Sequence, residues 1–297
     1  MTTVISGVVQ LGLATPLETV PGHERTALLL ANELGSPLKG PGGEPGDFSK
    51  HLRRVANASG IAAVGVERPG SADITYSRAD APWIHSGVLT RHAAESALEV
   101  ITEELPDTNR IVGLAHSAGA DYMLRLVRAM GEDKLPGHEM VSDVVVMDYP
   151  RGPNLPLLGV ARFVLYNLLE DRWEAAPKLP EEQQPATQGA SERSLADARY
   201  NVGRWSQGAQ DDLTWIAEHM PRVAIHVILA KHSPNHMLRP RSTLARYAEQ
   251  VNQLRANMAG AAACRAYVHE GPHADGSRSA VLAELLTKTG IVKPLTT

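Results

Sequence analysis

The chain has 297 residues, of which 43% are hydrophobic and 21% charged, with a net charge of −4 and a single cysteine, Cys264. A globular chain of this size buries a core without metal or disulfide support, and one cysteine excludes an internal disulfide. The negative balance offers no field for DNA or RNA, no apolar run reaches the ~20 residues of a membrane span, and the N-terminal stretch lacks the cationic start and apolar run of a signal peptide. The expectation is a cytoplasmic protein whose partner is a small molecule, with neither nucleic acid nor membrane.

Short β-branched runs alternate with longer amphipathic stretches, the pattern of an α/β protein whose mostly parallel sheet carries helices on both faces. Val4–Gln10 and Pro16–Val20 read as the strands of an early hairpin, and the continuous apolar run Thr26–Ala31 as a buried strand. A Gly/Pro-rich loop runs from Gly35 to Gly46. Asp47 is placed to cap a helix with Phe48, Leu52, Val55 and Ala56 on one face, ended by Gly60. Ile61–Glu67 predicts a strand. His92–Leu105 predicts a helix with Ala94, Leu98, Ile101 and Leu105 on one side. Ile111–Ala115 is a short strand running into Ser117, and Ala118–Met130 resumes helical spacing through Tyr122, Leu126 and Met130. Val141–Met147 is another buried strand, ending at Asp148.

From Pro150 to Pro221 the rhythm breaks. Helices are predicted over Leu155–Leu169, Ser194–Trp205 and Gln210–Met220, with a polar Pro/Gln-rich linker, Pro177–Gly189, between the first two. The alternation then returns with strand Val223–Ala230, helix Ser242–Met258, strand Cys264–His269 and a closing helix, Ser279–Thr289, stopped by Gly290. The organisation is a core of residues 1–149 and 222–297 interrupted by a helical cap inserted at 150–221.

The strongest chemical signal is Ile111-Val112-Gly113-Leu114-Ala115-His116-Ser117-Ala118-Gly119-Ala120, where a buried strand meets a helix through a serine flanked by small residues. A serine at so sharp a turn holds strained backbone, and the residues two before and two after it must be small. Ala115 and Gly119 meet that need. The turn lifts the hydroxyl above the sheet and aims the Ala118 N–H and the helix N-terminus at a developing oxyanion. The alternative for the same residues is a serine capping an ordinary helix after a parallel strand.

In their order, these segments resemble the α/β-hydrolase superfamily over nearly the whole chain. Leu28–Gly35 and its Gly/Pro-rich continuation resemble the oxyanion loop, and Glu67-Arg68-Pro69-Gly70-Ser71 the D-x-P-G-x-G turn. Ala115–Gly119 resembles the nucleophile elbow, the common G-H-S-x-G with its first Gly changed to Ala. Val144–Asp148 resembles the next strand with its acidic end. Val223–Ala230, followed by Lys231-His232-Ser233-Pro234-Asn235-His236, resembles the strand that delivers the triad acid. Gly271-Pro272-His273, after Tyr267-Val268-His269, resembles the loop that delivers the catalytic histidine.

The resemblance implies Ser117 as nucleophile and His273 as general base, in a mechanism that needs no cofactor or metal. The acid is Asp148, with Asn235 as the alternative position; an amide orients an imidazole but does not neutralise an imidazolium. Ala31-Asn32 replaces the frequent His-Gly of the oxyanion loop, so the second backbone donor beside Ala118 is Glu33, with Leu34 next in line. His116 adjoins the serine along the strand and points to another face. His232 and His236 lack the third ligand of a metal site. Phe163, Tyr166, Trp173, Trp205 and Trp215 are candidates to line an acyl pocket, with cap core as the other role for each.

The implied activity is that of a serine hydrolase on an ester-like or related carbonyl bond of a small, partly apolar substrate. Ester, thioester, lactone, amide and carbon–carbon cleavage all fit the scaffold. The departures at the elbow, the oxyanion loop and Asn235 suggest the rival reading, a non-catalytic hydrolase-like binding protein with a degenerate triad. A nucleotide site in the glycine-rich Lys39–Gly46 is disfavoured: no Gly-Lys-Ser/Thr follows, and its two prolines remove amide donors.

Overall fold

The structure, a computed structural model, describes residues 2–6, 9–32, 38–39, 44–68, 87–148, 208–233 and 241–292. Eight strands are β1 Thr2–Ser6, β2 Val9–Ala14, β3 Thr26–Ala31, β4 Ala62–Val66, β5 Arg110–His116, β6 Val141–Met147, β7 Ala224–His232 and β8 Cys264–Pro272. They form one sheet in the order β1-β2-β4-β3-β5-β6-β7-β8. β2 runs antiparallel to β1 and to β4, and the other pairings are parallel. The helices are α1 Asp47–Ser59, α2 Gly87–Glu104, α3 Ser117–Glu132, α4 Gly208–His219, α5 Arg241–Gln253 and α6 Ser279–Lys288. A 3-10 turn, His273–Ser277, joins β8 to α6.

The central strands β3 to β7 are buried on both faces, which is why they are apolar at consecutive positions. In β3, Ala27, Leu29 and Ala31 join a core with residues of α2, α3, α4 and α5. Leu28 and Leu30 join the opposite core with Phe48, Leu52, Val55 and Ala56 of α1 and Leu282, Leu285 and Leu286 of α6. β6 repeats the alternation, with Val144 and Val146 on one side and Val145 and Met147 on the other. Gly60 ends α1 in the left-handed region at φ 65, its N–H donating to the Ala56 carbonyl.

Three local expectations are corrected. The hairpin pairs β1 with β2, and Pro16–Val20 is not a strand: the Val20 N–H donates to the Gly60 carbonyl instead of a sheet neighbour. Gly46, not Asp47, is the N-cap of α1, and Asp47 sits in the first turn, where its charge favours the positive end of the helix. The helix expected to reach Met258 stops at Gln253, and Arg255 in the following turn is buried with its guanidinium on backbone carbonyls. In α4, Leu213, Ile216 and Ala217 are buried in the same core as α3 and the sheet. Residues 149–207, including the other two helices expected in the insertion, lie outside the described residues.

The connections create the place for a site. From β3 the chain adds β4 on one side, then crosses to add β5 on the other. Where successive connections leave in opposite directions, a crevice opens beyond the carboxyl ends of the strands. Asn32 follows β3 and Ser117 follows β5 at that switch point.

Candidate active site

His116 leaves β5 in extended conformation, at φ −128 and ψ 151, and Ser117 then takes φ 54 as it starts α3. The left-handed region costs a residue with a side chain roughly 1–2 kcal/mol, so the surroundings must impose it. Here β5 is locked between β3 and β6, while α3 buries Met123, Leu126 and Val127 in the core. The small neighbours are contact requirements. A Cβ on Gly119 would lie 2.6 Å from the Asn32 carbonyl oxygen and 2.7 Å from that of Ala31, so a larger residue would force α3 off the end of β3. Ala115 is buried. Ala118 lies in the first turn of α3, whose amides have no intrahelical acceptor.

Asp148 is the second strained residue, at φ 48 and 0% exposed. Its N–H donates to the Ile228 carbonyl of β7 at 2.8 Å. His116 and Met147 are register partners, so Ser117 and Asp148 each follow a paired residue at the same end of adjacent strands. The other described non-glycine residue with positive φ, Lys134, lies in the turn after α3.

His273 opens the 3-10 turn. Its backbone is described, and its imidazole lies outside the described residues. The turn itself is well placed: a Cβ on Gly276 would lie 2.1 Å from Cδ2 of His116. The segment carrying His273 thus rests on the ring of the residue adjoining Ser117. That packing makes buried His116 the seat of the turn. Asp275 of the same turn accepts from His269 Nε2 and from Arg278 Nη1, each at 2.7 Å. Sequence reasoning missed this pair of contacts, for which no local spacing gave a signal.

On the opposite flank, Asn32 and Glu67 are both buried. The Arg68 N–H donates to Asn32 Oδ1, and the Leu38 N–H donates to Glu67 Oε2 at 3.0 Å. Both ends of the segment between β3 and Leu38 are therefore tied to the end of β4. The Asn32 amide oxygen thus serves the end of β4. The proposed oxyanion donors Glu33 and Leu34 lie outside the described residues, as do Asn235, Phe163, Tyr166, Trp173 and Trp205.

Trp215 does not line a pocket at Ser117. It stacks on His219 with ring centroids 4.6 Å apart, under the Arg128 guanidinium at 5.4 Å. Arg128 lies about three turns, or ~16 Å, along α3 from Ser117. His232 is exposed at the end of β7, and His236 is outside the described residues. Among the described residues no group of three or more His, Cys, Asp or Glu side chains is arranged to hold a metal ion, and no helix is long and apolar enough to cross a membrane.

No family model and no curated protein matches the chain. Solved structures do. The proline iminopeptidase of Mycobacterium smegmatis superposes with a TM-score of 0.54 at 13% identity, over 98% of each chain. Carboxyl esterase 2 of the mycorrhizal fungus Tuber melanosporum gives 0.51 at 14% identity, over 97% of this chain and 84% of its own. MenH from S. aureus gives 0.50 at 13% identity, over 94% and 96%. At such identities the likeness is one of fold.

Proposed function

We propose that this chain, which has the α/β-hydrolase fold, is a serine hydrolase acting through an acyl-enzyme on an ester-like or related carbonyl bond of a small, partly apolar substrate. Ser117 carries the reading: a serine at φ 54 in a strand-to-helix turn, two residues before a glycine pressed onto the β3 carbonyls. An ordinary helix cap has no use for that strain, whereas a nucleophile raised clear of the sheet depends on it. The similar solved structures named as a peptidase and an esterase support the same class of bond.

In this reading His273 takes the Ser117 proton as Oγ bonds to the carbonyl carbon. The charge that develops on the carbonyl oxygen meets the Ala118 N–H and the positive end of α3, with Glu33, then Leu34, as the second donor. The leaving group departs with the proton from His273. A water deprotonated by His273 then attacks the acyl carbon, and collapse of that intermediate frees the acid and returns the proton to Ser117. Asp148, fully buried at the neighbouring strand end, fixes the tautomer of the neutral imidazole and stabilises the imidazolium that forms. Phe163, Tyr166, Trp173 and Trp205 of the insertion, which lie outside the described residues, are the proposed pocket side chains.

A fluorophosphonate probe tests the assignment. Labelling at Ser117 is expected, and Ser117→Ala should lose both labelling and turnover of a panel of short p-nitrophenyl esters while melting like the wild type. A folded wild-type protein silent to the probe and to every ester would instead be a hydrolase-like binding protein.

A further inference from the structure

We infer that Asp275 is a positioning residue that holds the His273 turn at a fixed place relative to Ser117, an inference that rests on the reading of those two residues as base and nucleophile. The loop from β8 to α6 is anchored at one carboxylate from two elements. His269 in β8 reaches Asp275 Oδ2 at 2.7 Å, and Arg278, preceding α6, reaches Oδ1 at 2.7 Å. The Arg278 N–H also donates to the Asp275 carbonyl at 3.2 Å, closing the turn. The Asp275 side chain is only 8% exposed, with Arg278 at 13% and His269 at 21%.

A carboxylate held on both oxygens by charge-assisted bonds, away from water, restricts orientation far more than an exposed pair does. The fit is close: a Cβ on Gly271 would lie 1.9 Å from Asp275 Oδ2 and 2.2 Å from His269 Nε2. The next residue, Gly276, is the one pressed against His116. A continuous series of contacts therefore runs from β8 through Asp275 and Gly276 to His116, which adjoins Ser117, and His273 opens the same turn. The Arg278 bond lies between the turn and the start of α6, whose N-cap has no side-chain cap hydrogen bond. The His269 bond adds a tie between the turn and the sheet, and that tie matters when a base must meet a nucleophile delivered by another strand. A displacement of about 1 Å in such a group costs roughly 100-fold in rate.

Asp275→Ala should lower kcat about 100-fold with KM within about twofold of wild type. Asp275→Asn, which still accepts from Arg278, should recover about tenfold of the loss. Arg255→Ala, remote from the site, supplies a destabilised control whose kcat per folded molecule stays at the wild-type value. Wild-type kcat in fully folded Asp275→Ala overturns the inference, as does a loss no greater than that of the control at matched stability. Should Asp275→Ala fail to fold, Asp275→Asn and His269→Ala carry the same readings. If the wild type is inert to fluorophosphonate and esters, the hydrolase reading fails by itself. Amide hydrogen exchange over Ala274–Ser277 then decides the inference: roughly tenfold faster exchange in Asp275→Ala supports a turn held by Asp275, and unchanged exchange overturns it.

Discussion

Ser117 and Asp148 hold backbone conformations that favour glycine, at φ 54 and φ 48, on neighbouring strand ends. The proposed site gives both side chains a use that would justify the strain. Ser117→Gly separates the two demands. Removing the Cβ relieves the left-handed strain, so stability should rise by about 1 kcal/mol while ester turnover vanishes. Urea denaturation and an esterase assay on the same preparation check both halves. A variant less stable than wild type would mean that Ser117 is held by favourable contacts and not against strain.

Between elements, the principal polar device lies away from the crevice. Arg255, only 7% exposed, donates to the carbonyls of Ile216, Ala217, Met220, Val223 and Ala262. Ala217 lies in the last turn of α4, where carbonyls run out of intrahelical donors, while Ile216 and Met220 accept Arg255 in addition to the N–H groups of Met220 and Val223. The guanidinium also supplies positive charge where the helix dipole favours it. Burial pulls the Arg255 pKa below its usual value, an effect opposed by nearby Cys264, and arginine starts high enough to stay charged. Arg255→Ala should cost on the order of 3 kcal/mol, and Arg255→Lys should recover little, since an ammonium cannot match the planar fork. Thermal melting of the two variants against wild type measures both.

Across the whole molecule, the two ends of the sheet divide the work. The carboxyl ends carry Ser117 and Asp148, and the opposite edge is held by a polar cluster spanning β5 to β8. Asp143 Oδ2 accepts from Arg110 Nη2 at 2.8 Å and from Ser142 Oγ at 2.6 Å, and Oδ1 lies 3.5 Å from His226 Nε2. His226 Nδ1 in turn lies 3.3 Å from the Tyr267 hydroxyl. Burial alone would raise the Asp143 carboxyl, but the nearby His226 ring and the hydrogen bonds from Ser142 and Arg110 prevail and bring it down to about 2. A carboxyl with a lowered folded pKa stabilises the fold above its unfolded value near 4 and loses that contribution as pH falls through about 2. The contribution is on the order of 1–2 kcal/mol after solvent screening. Urea midpoints measured from about pH 5 down to pH 2 should fall less steeply for Asp143→Asn than for wild type.

Much of the architecture was legible along the chain. Strands covered on both faces demand consecutive apolar residues, so β3 and β6 stand out as Thr26–Ala31 and Val141–Met147 with the bounds they have in the fold. The elbow was legible for a steric reason: the demand for small residues around Ser117 is written within five consecutive positions, Ala115 to Gly119. Pro16–Val20 misled because strand-like composition says nothing of a partner, and Val20 finds its partner at Gly60. Trp215 was left with two roles because an aromatic side chain suits both a pocket and a helix interface, and only the packing of α4 on α3 chose between them. Asp275, His269 and Arg255 gave no signal, since each is defined by acceptors or donors on other elements. Periodicity and steric exclusion act between near neighbours and leave their mark in order along the chain. The partner of a buried polar group is chosen by whichever distant segments crowd around it, and that choice exists only once the layers have packed.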